Sequence, residues 1–220
     1  MRSLRRRVIE PEWLEEAPVE AARRNLAELT ALNRYLGGHR ILCDRLRQLV
    51  SPAEQFSFLD IGAASGDMAR MAQRTFPGLR VFNLDRQARH LERASGPCLV
   101  GDGFRLPFRD RSLDVTHCSL LLHHFADDAV VQLLAEMWRV ARRGVIAQDL
   151  ERRRLPYYFL PATRWLFNWS ELVLHDGPIS VAAGFRRAEF KQLAELAGMP
   201  EAQVRVHRPA FRLSLLAVRR

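Results

Sequence analysis

The sequence predicts an α/β fold built on a seven-stranded, mostly parallel sheet with helices on both faces and an antiparallel last strand. Three observations carry that expectation. Short apolar runs alternate with amphipathic helical patterns from residue 56 to residue 150, as parallel strands joined by crossover helices require. Residues 58–67, FLDIGAASGD, read as a buried strand, a glycine-bracketed turn and the first turn of a helix. Acids stand at the ends of three successive strands, at Asp60, Asp85 and Asp102.

The elements follow in order. Ala22, Leu26, Leu29 and Leu36 recur at helical spacing over 19–36, and Gly37-Gly38 ends that helix. Ile41, Leu42, Leu46, Leu49 and Val50 stripe a second helix, closed by Ser51-Pro52. Both helices precede the sheet and are expected across its ligand edge, where the Asn33-Arg34-Tyr35 cluster either faces the site or caps the first helix. After the opening strand, Met68, Met71, Ala72 and Phe76 give a helix its packed face, and Pro77-Gly78 stops it. Further strands are expected at 80–85, 98–100, 113–119 and 144–150, with a helical segment starting near Gln87. Between the last two strands, Asp127-Asp128 open a helix and Arg142-Arg143 close it, charges that suit its dipole. Residues 155–174 are unusually aromatic, but Arg164, Asn168 and Glu171 interrupt the run, which argues against a membrane span. The HDGPIS segment, 175–180, comes next, then a helix burying Phe190, Leu193 and Leu196. A hairpin-like pair at 203–207 and 211–218 ends the chain.

The glycine turn narrows the ligand. A dinucleotide fingerprint is G-x-G-x-x-G, whereas this turn is D-x-G-x-x-x-G with Ala64 at the second glycine position. Asp60, two residues before Gly62, is a poor neighbour for pyrophosphate and a good one for an ammonium or sulfonium. The favoured ligand is therefore cationic at its reactive end. Here the chain resembles the class I S-adenosylmethionine-dependent methyltransferases, whose first motif has this acid-and-glycine form and whose fold is Rossmann-like. The succession SLLLHHF at 119–125 and EMWRVARRG at 136–144 is similar to the small ubiquinone/menaquinone-type methyltransferases. The LNRYLGG and HDGPIS stretches look like small bacterial enzymes of phenolic-lipid and type III polyketide pathways. The resemblance implies S-adenosyl-L-methionine as cofactor, with S-adenosyl-L-homocysteine as product.

On that resemblance, Asp60, Gly62, Ala63, Ala64 and Gly66 form the turn beneath the cofactor. Asp85, with Arg86 beside it, follows Asp60 by one strand–helix–strand unit, and its carboxylate can accept from both ribose hydroxyls, or else cap the next helix. Asp102 and the Gly103 backbone would offer an acceptor and a donor to an adenine ring, as in the family. Ser119-Leu120 completes the cofactor set. If the acceptor is a phenol, a base is needed near the methyl. The candidates are His123 and His124 at the lip of the fourth strand, Asp149 at the end of the fifth and His175 past the aromatic run. Either His can instead be structural.

Composition bounds the rest. A chain of 220 residues with 48% hydrophobic and 27% charged residues has room for one domain and its core. Its parts are a helical cap (1–52), the cofactor-binding core (53–150), an aromatic stretch that either covers the acceptor or packs on the N-terminal helices (151–180), and a terminal helix with a strand pair (181–220). Cys43, Cys98 and Cys118 are scattered without ligand spacing, so neither a disulfide framework nor a metal site is expected, and a reducing cytoplasm fits. No apolar run of signal-peptide length follows the N-terminal arginines. The net charge of +9 comes from dispersed arginine, Lys191 being the sole lysine, which reads as a solvated basic surface without a dedicated nucleic-acid module. Arg5-Arg6-Arg7, Arg152-Arg153-Arg154 and Arg219-Arg220 could still touch anionic lipid or RNA. The expected acceptor is small and hydrophobic, phenolic or quinol-like. The rival readings are an RNA or protein methyltransferase using the arginines, or a cofactor-binding protein without catalysis.

Overall fold

A computed structural model of the protein describes residues 4–15 and 17–219. Its seven strands form one sheet in the order β3-β2-β1-β4-β5-β7-β6. They are β1 (Phe56–Ile61), β2 (Leu79–Asp85), β3 (Cys98–Val100), β4 (Leu113–Ser119), β5 (Ala141–Leu150), β6 (Gln203–His207) and β7 (Arg212–Val218). The first five run parallel, β7 runs antiparallel to β5, and β6 pairs antiparallel with β7. The expected sheet is the observed one.

Helices cover both faces because successive strand residues point opposite ways. Leu59 and Ile61 of β1 join Leu84, Val145 and Leu213 in a core with α4 (Asp127–Val140) and α7 (Arg187–Leu196). Phe56 and Phe58 join Val81, Val115 and Ile146 in a second core with α2 (Gly38–Leu46) and α3 (Asp67–Thr75). A central strand apolar on both faces is what a doubly covered parallel sheet needs.

Three elements remain, and they lie over the carboxyl edge of the sheet: α1 (Val19–Tyr35), α5 (Arg154–Phe167) and α6 (Glu171–Ala183). The stripe of α1 differs from a core stripe. Leu26, Leu29, Leu32 and Leu36 are half-buried and line a cavity.

Some local expectations are corrected. The segment after Gln87 is a 3₁₀ helix, Ala88–Arg93, and β5 starts three residues earlier than its apolar run, at Ala141. The HDGPIS segment is not a connection: α6 runs through it, with Pro178 inside the helix. Leu196, in the last turn of α7, faces solvent at 66% exposure, while Phe190 and Leu193 are buried as expected. No described helix is long and apolar enough to cross a membrane.

Candidate active site

The strand order reverses between β1 and β4, and in such sheets ligands bind in the crevice at the carboxyl ends of the strands flanking that switch. A cavity of about 690 Å³ opens there. Asp60, Gly62, Ala63, Ala64, Asp85, Arg86, Asp102, Gly103, Ser119 and Leu120 all line one part of it.

Each is placed by local rules. Parallel register sets Asp60 of β1 beside His117 of β4, and Asp60 Oδ1 lies 2.7 Å from His117 Nδ1. Its other oxygen, Oδ2, is buried and has no partner. Burial raises the Asp60 pKa, and the adjoining imidazole only partly offsets this. Gly62 takes φ 67°, and Ala64, at φ 46°, enters the same left-handed region although it is not glycine. The Ala64 N–H then donates to Asp85 Oδ2 at 3.1 Å. Asp85 also accepts the Gln87 N–H at 2.9 Å and sits 3.3 Å from His90 Nδ1. Burial opposes its charge, but the His90 and backbone bonds outweigh it and hold its pKa down. Asp102 is exposed at the rim and accepts the Phe104 N–H. Gly66 does not line the cavity: it caps α3 behind the turn, where a Cβ would lie 2.9 Å from Ala94 Cα. A second strained non-glycine residue, Leu120 at φ 54°, forms the opposite lip. Such strain gathers at sites that need a set backbone.

The far part of the cavity ends in a chain of charges. His123 Nδ1 lies 2.7 Å from Asp149 Oδ1, and the His123 backbone N–H donates to the other Asp149 oxygen. His123 Nε2 faces Glu12 Oε1 at 3.5 Å, and His124 Nε2 lies 4.0 Å from Glu12 Oε2. Burial works against a charge on His123, but the two flanking carboxylates prevail and push its pKa up to about 10. Burial and the neighbouring His123 charge take His124 the other way, down to about 4. Glu12, buried yet bonded to His123, falls to about 2. At neutral pH the pair is one fixed imidazolium and one neutral imidazole.

The four candidate bases therefore separate. His123 and His124 line the cavity. Asp149 is wholly buried behind His123, so it orients that ring and cannot itself reach an acceptor. His175 lies outside the lining: its ring stacks on Trp13 at 3.6 Å and its Nδ1 bonds Asp176. Sequence reasoning missed Glu12, Asp176 and Arg212, which all line the cavity. Asp176 accepts the Trp13 and Leu14 backbone N–H groups, and Ser180 donates to Glu12, so α6 holds the N-terminal arm over the site. Arg212 is buried and donates to Asn33, which in turn donates to Asp67 at 3.0 Å. Glu12, His123 and His124 each offer a ligand atom within 4.8 Å of the others, the one group among the described residues that could hold a metal ion. A proton on His123 already supplies the positive charge those carboxylates require.

Residues 59–147, which span β1 to β5, match the methyltransferase domain family. That segment, less than half of the chain, is similar to a methyltransferase domain. Its apolar strands, glycine turn and β4 lip are the matched segment. The demethylmenaquinone methyltransferase of Thermotoga maritima is 33% identical over 104 residues, 45% of this chain and 44% of that one. The ubiquinone/menaquinone biosynthesis C-methyltransferase of Dinoroseobacter shibae is 30% identical over 131 residues, 54% and 52% of the two chains. The chain thus aligns with about half the length of these curated relatives. Among solved structures, the plantazolicin methyltransferase BpumL in complex with S-adenosylhomocysteine has TM-score 0.70 at 14% identity, covering 91% of this chain and 90% of that one. A putative O-methyltransferase from Nostoc punctiforme has TM-score 0.62 at 17% identity, covering 83% and 56%. At these identities the likenesses show the shared fold, over most of the chain.

Proposed function

We propose that this domain transfers a methyl group from S-adenosylmethionine to a small apolar acceptor bearing a phenolic or quinol-type hydroxyl, on that oxygen or on a ring carbon activated by it. One observation carries the reading. A single cavity joins an acid-lined end, where Asp60 keeps a buried oxygen without partner, to an apolar chamber ended by His124. A buried carboxylate oxygen without a donor is costly, and the cofactor's ammonium supplies the donor. Asp85 and Asp102 then stand where ribose hydroxyls and an exocyclic amine need acceptors. The residues fit the cofactor, and the volume lies in the roughly 300–1,000 Å³ range of small-molecule sites.

When bound, S-adenosylmethionine would supply a methyl group on a sulfonium, open to in-line attack by the acceptor with the thioether of S-adenosylhomocysteine as leaving group. The protein's part is alignment, exclusion of water and management of one proton. Leu26, Leu29 and Leu32 of α1 and Phe159 and Leu160 of α5 wall the chamber with apolar surface. His124, neutral at working pH, takes the acceptor's hydroxyl proton. His123, held charged by Asp149 and Glu12, faces the same chamber and stabilises the phenolate that results. The quinone-type relatives support a quinol-like acceptor.

The deciding experiment uses S-adenosylmethionine carrying a labelled methyl group, the purified protein and a cell lysate, with lipid, aqueous, RNA and protein fractions counted separately. Label is expected in the organic extract, and His124→Ala should lower it by about 10²-fold or more, the usual worth of a positioned base. Label in RNA or protein instead would overturn the acceptor assignment. Label nowhere, with S-adenosylhomocysteine still bound, would leave a binding protein without catalysis.

A further inference from the structure

The basic clusters picked out in the sequence are not a ready-made binding surface. Arg7 bonds the Ala183 and Phe125 carbonyls and lies 4.1 Å over the Phe185 ring. Arg152 is buried against the Gly184 carbonyl and Glu189. Arg219 sits over Trp138, and Arg220 lies outside the described residues. Other exposed arginines, open to a large partner, lie elsewhere.

They surround α5, which is apolar on two sides. Its inner side, Pro156, Phe159 and Leu160, lines the cavity. Its outer side carries Leu155, Tyr158, Trp165 and Leu166, which recur at helical spacing and so share a face. Trp165 is 85% exposed, Leu166 75% and Leu155 69%. Soluble surfaces carry single apolar residues at random, but a row of large ones along a helix face marks something that covers it. At the start of α5, Arg154 is exposed and Arg153, 3.6 Å from Glu151, still shows most of its side chain to solvent, while the Arg164 guanidinium lies 4.4 Å over the Trp165 ring near its end. Between Arg152 and Ser170 the chain has no acid at all.

We propose that the outer face of α5 docks on an anionic lipid bilayer, placing the apolar wall of the cavity beside the membrane from which a greasy acceptor would enter. The acceptor clause rests on the function proposed above; the docking does not. An interfacial helix has this composition: Trp and Leu sunk at the headgroup level, arginine at the rim, no acids facing the surface. Charge decides between occupants. A second copy of the chain would bring the same arginines and a net charge of +9 against themselves, whereas anionic headgroups complement them.

The test is co-sedimentation of the full chain with vesicles of phosphatidylcholine alone and of phosphatidylcholine mixed with phosphatidylglycerol. Binding is expected only to the anionic vesicles, weakening as salt rises. Trp165→Asp with Leu166→Asp should lower the partition coefficient by about tenfold or more, and Arg153→Glu with Arg154→Glu should abolish the lipid selectivity. Both variants change exposed residues, and unaltered binding of S-adenosylhomocysteine shows that they are folded. Equal pelleting with and without vesicles, or a dimer in sedimentation velocity that Trp165→Asp dissolves, would overturn the proposal. Vesicle binding without any organic-extractable methylated product would leave the docking intact and refute the acceptor instead.

Discussion

At the scale of residues, the site is built from exceptions to ordinary propensity. Ala64 holds φ 46° so that its N–H reaches Asp85. A left-handed backbone costs an L-residue roughly 1–2 kcal/mol, and glycine's greater freedom when unfolded returns roughly 0.5–1 of that. Ala64→Gly is therefore expected to stabilise the protein by about 0.5–1 kcal/mol in urea unfolding; a loss would mean that the Ala64 methyl makes packing worth more than the strain. The histidine pair gives a pH signature. His123, raised to about 10 from 6.5, adds stability that is complete below pH 6.5 and lost as pH climbs through 10. His124, lowered to about 4 from the same 6.5, adds stability present above pH 6.5 and lost as pH falls through 4. Their joint contribution peaks near pH 6.5. Replacing His124 with Gln should remove the acid-side loss and leave the alkaline one. Melting temperatures of His124→Gln and the parent that run parallel from pH 4 to 6.5 would show that His124 is not held neutral.

At the scale of elements, α6 explains a segment whose chemistry was misplaced in the sequence. Gly177-Pro178 reads as a break because proline removes a helical N–H. The helix continues nonetheless, and its side chains serve the arm and α5. A Cβ at Gly177 would meet the end of the Leu160 side chain, so the bare glycine leaves that α5 side chain its room against α6. Asp176 ties down the amides of Trp13 and Leu14, and through them positions Glu12. Asp176→Ala should cost about 1–3 kcal/mol by stranding those donors. It should also lower kcat for methyl transfer while leaving the dissociation constant for S-adenosylhomocysteine unchanged, which calorimetry beside steady-state kinetics would check. Equal damage to both would place Asp176 with the cofactor instead. The acid-lined end of the cavity was legible in the sequence because each of its acids stands at the end of its own strand, so strand, turn and acid are neighbours in the chain. Glu12 was not. It meets His123 across more than a hundred residues, in a stretch without periodicity where Glu12, Glu15 and Glu16 look alike. For the same reason His175 looked catalytic: nothing local announced that Trp13 would cover it.

At the scale of the whole molecule, two cores share the sheet, and the cavity opens above them, touching the first through Ile61, Leu84 and Leu133 and the second through Met68. Its walls come from the glycine turn, the β4 lip, the arm and the α1–α5–α6 layer. Those upper elements rest on half-buried apolar residues and on polar links, among them the buried Arg212–Asn33 bond and the half-buried Ser170–Glu28 pair of bonds. A ligand filling the cavity adds the missing contacts between layer and sheet, so binding and global stability are linked. At a hundred times its dissociation constant, S-adenosylhomocysteine should stabilise the protein by about 2.7 kcal/mol. For a chain of this size that corresponds to roughly 5–10 °C in melting temperature. Asp60→Asn keeps the side chain's shape and removes the carboxylate proposed to face the ammonium, so it should lose most of the shift while its ligand-free melting temperature stays close to the parent's. A full shift in Asp60→Asn would mean that the ammonium sits elsewhere, and the buried unpaired oxygen of Asp60 would then need a different partner.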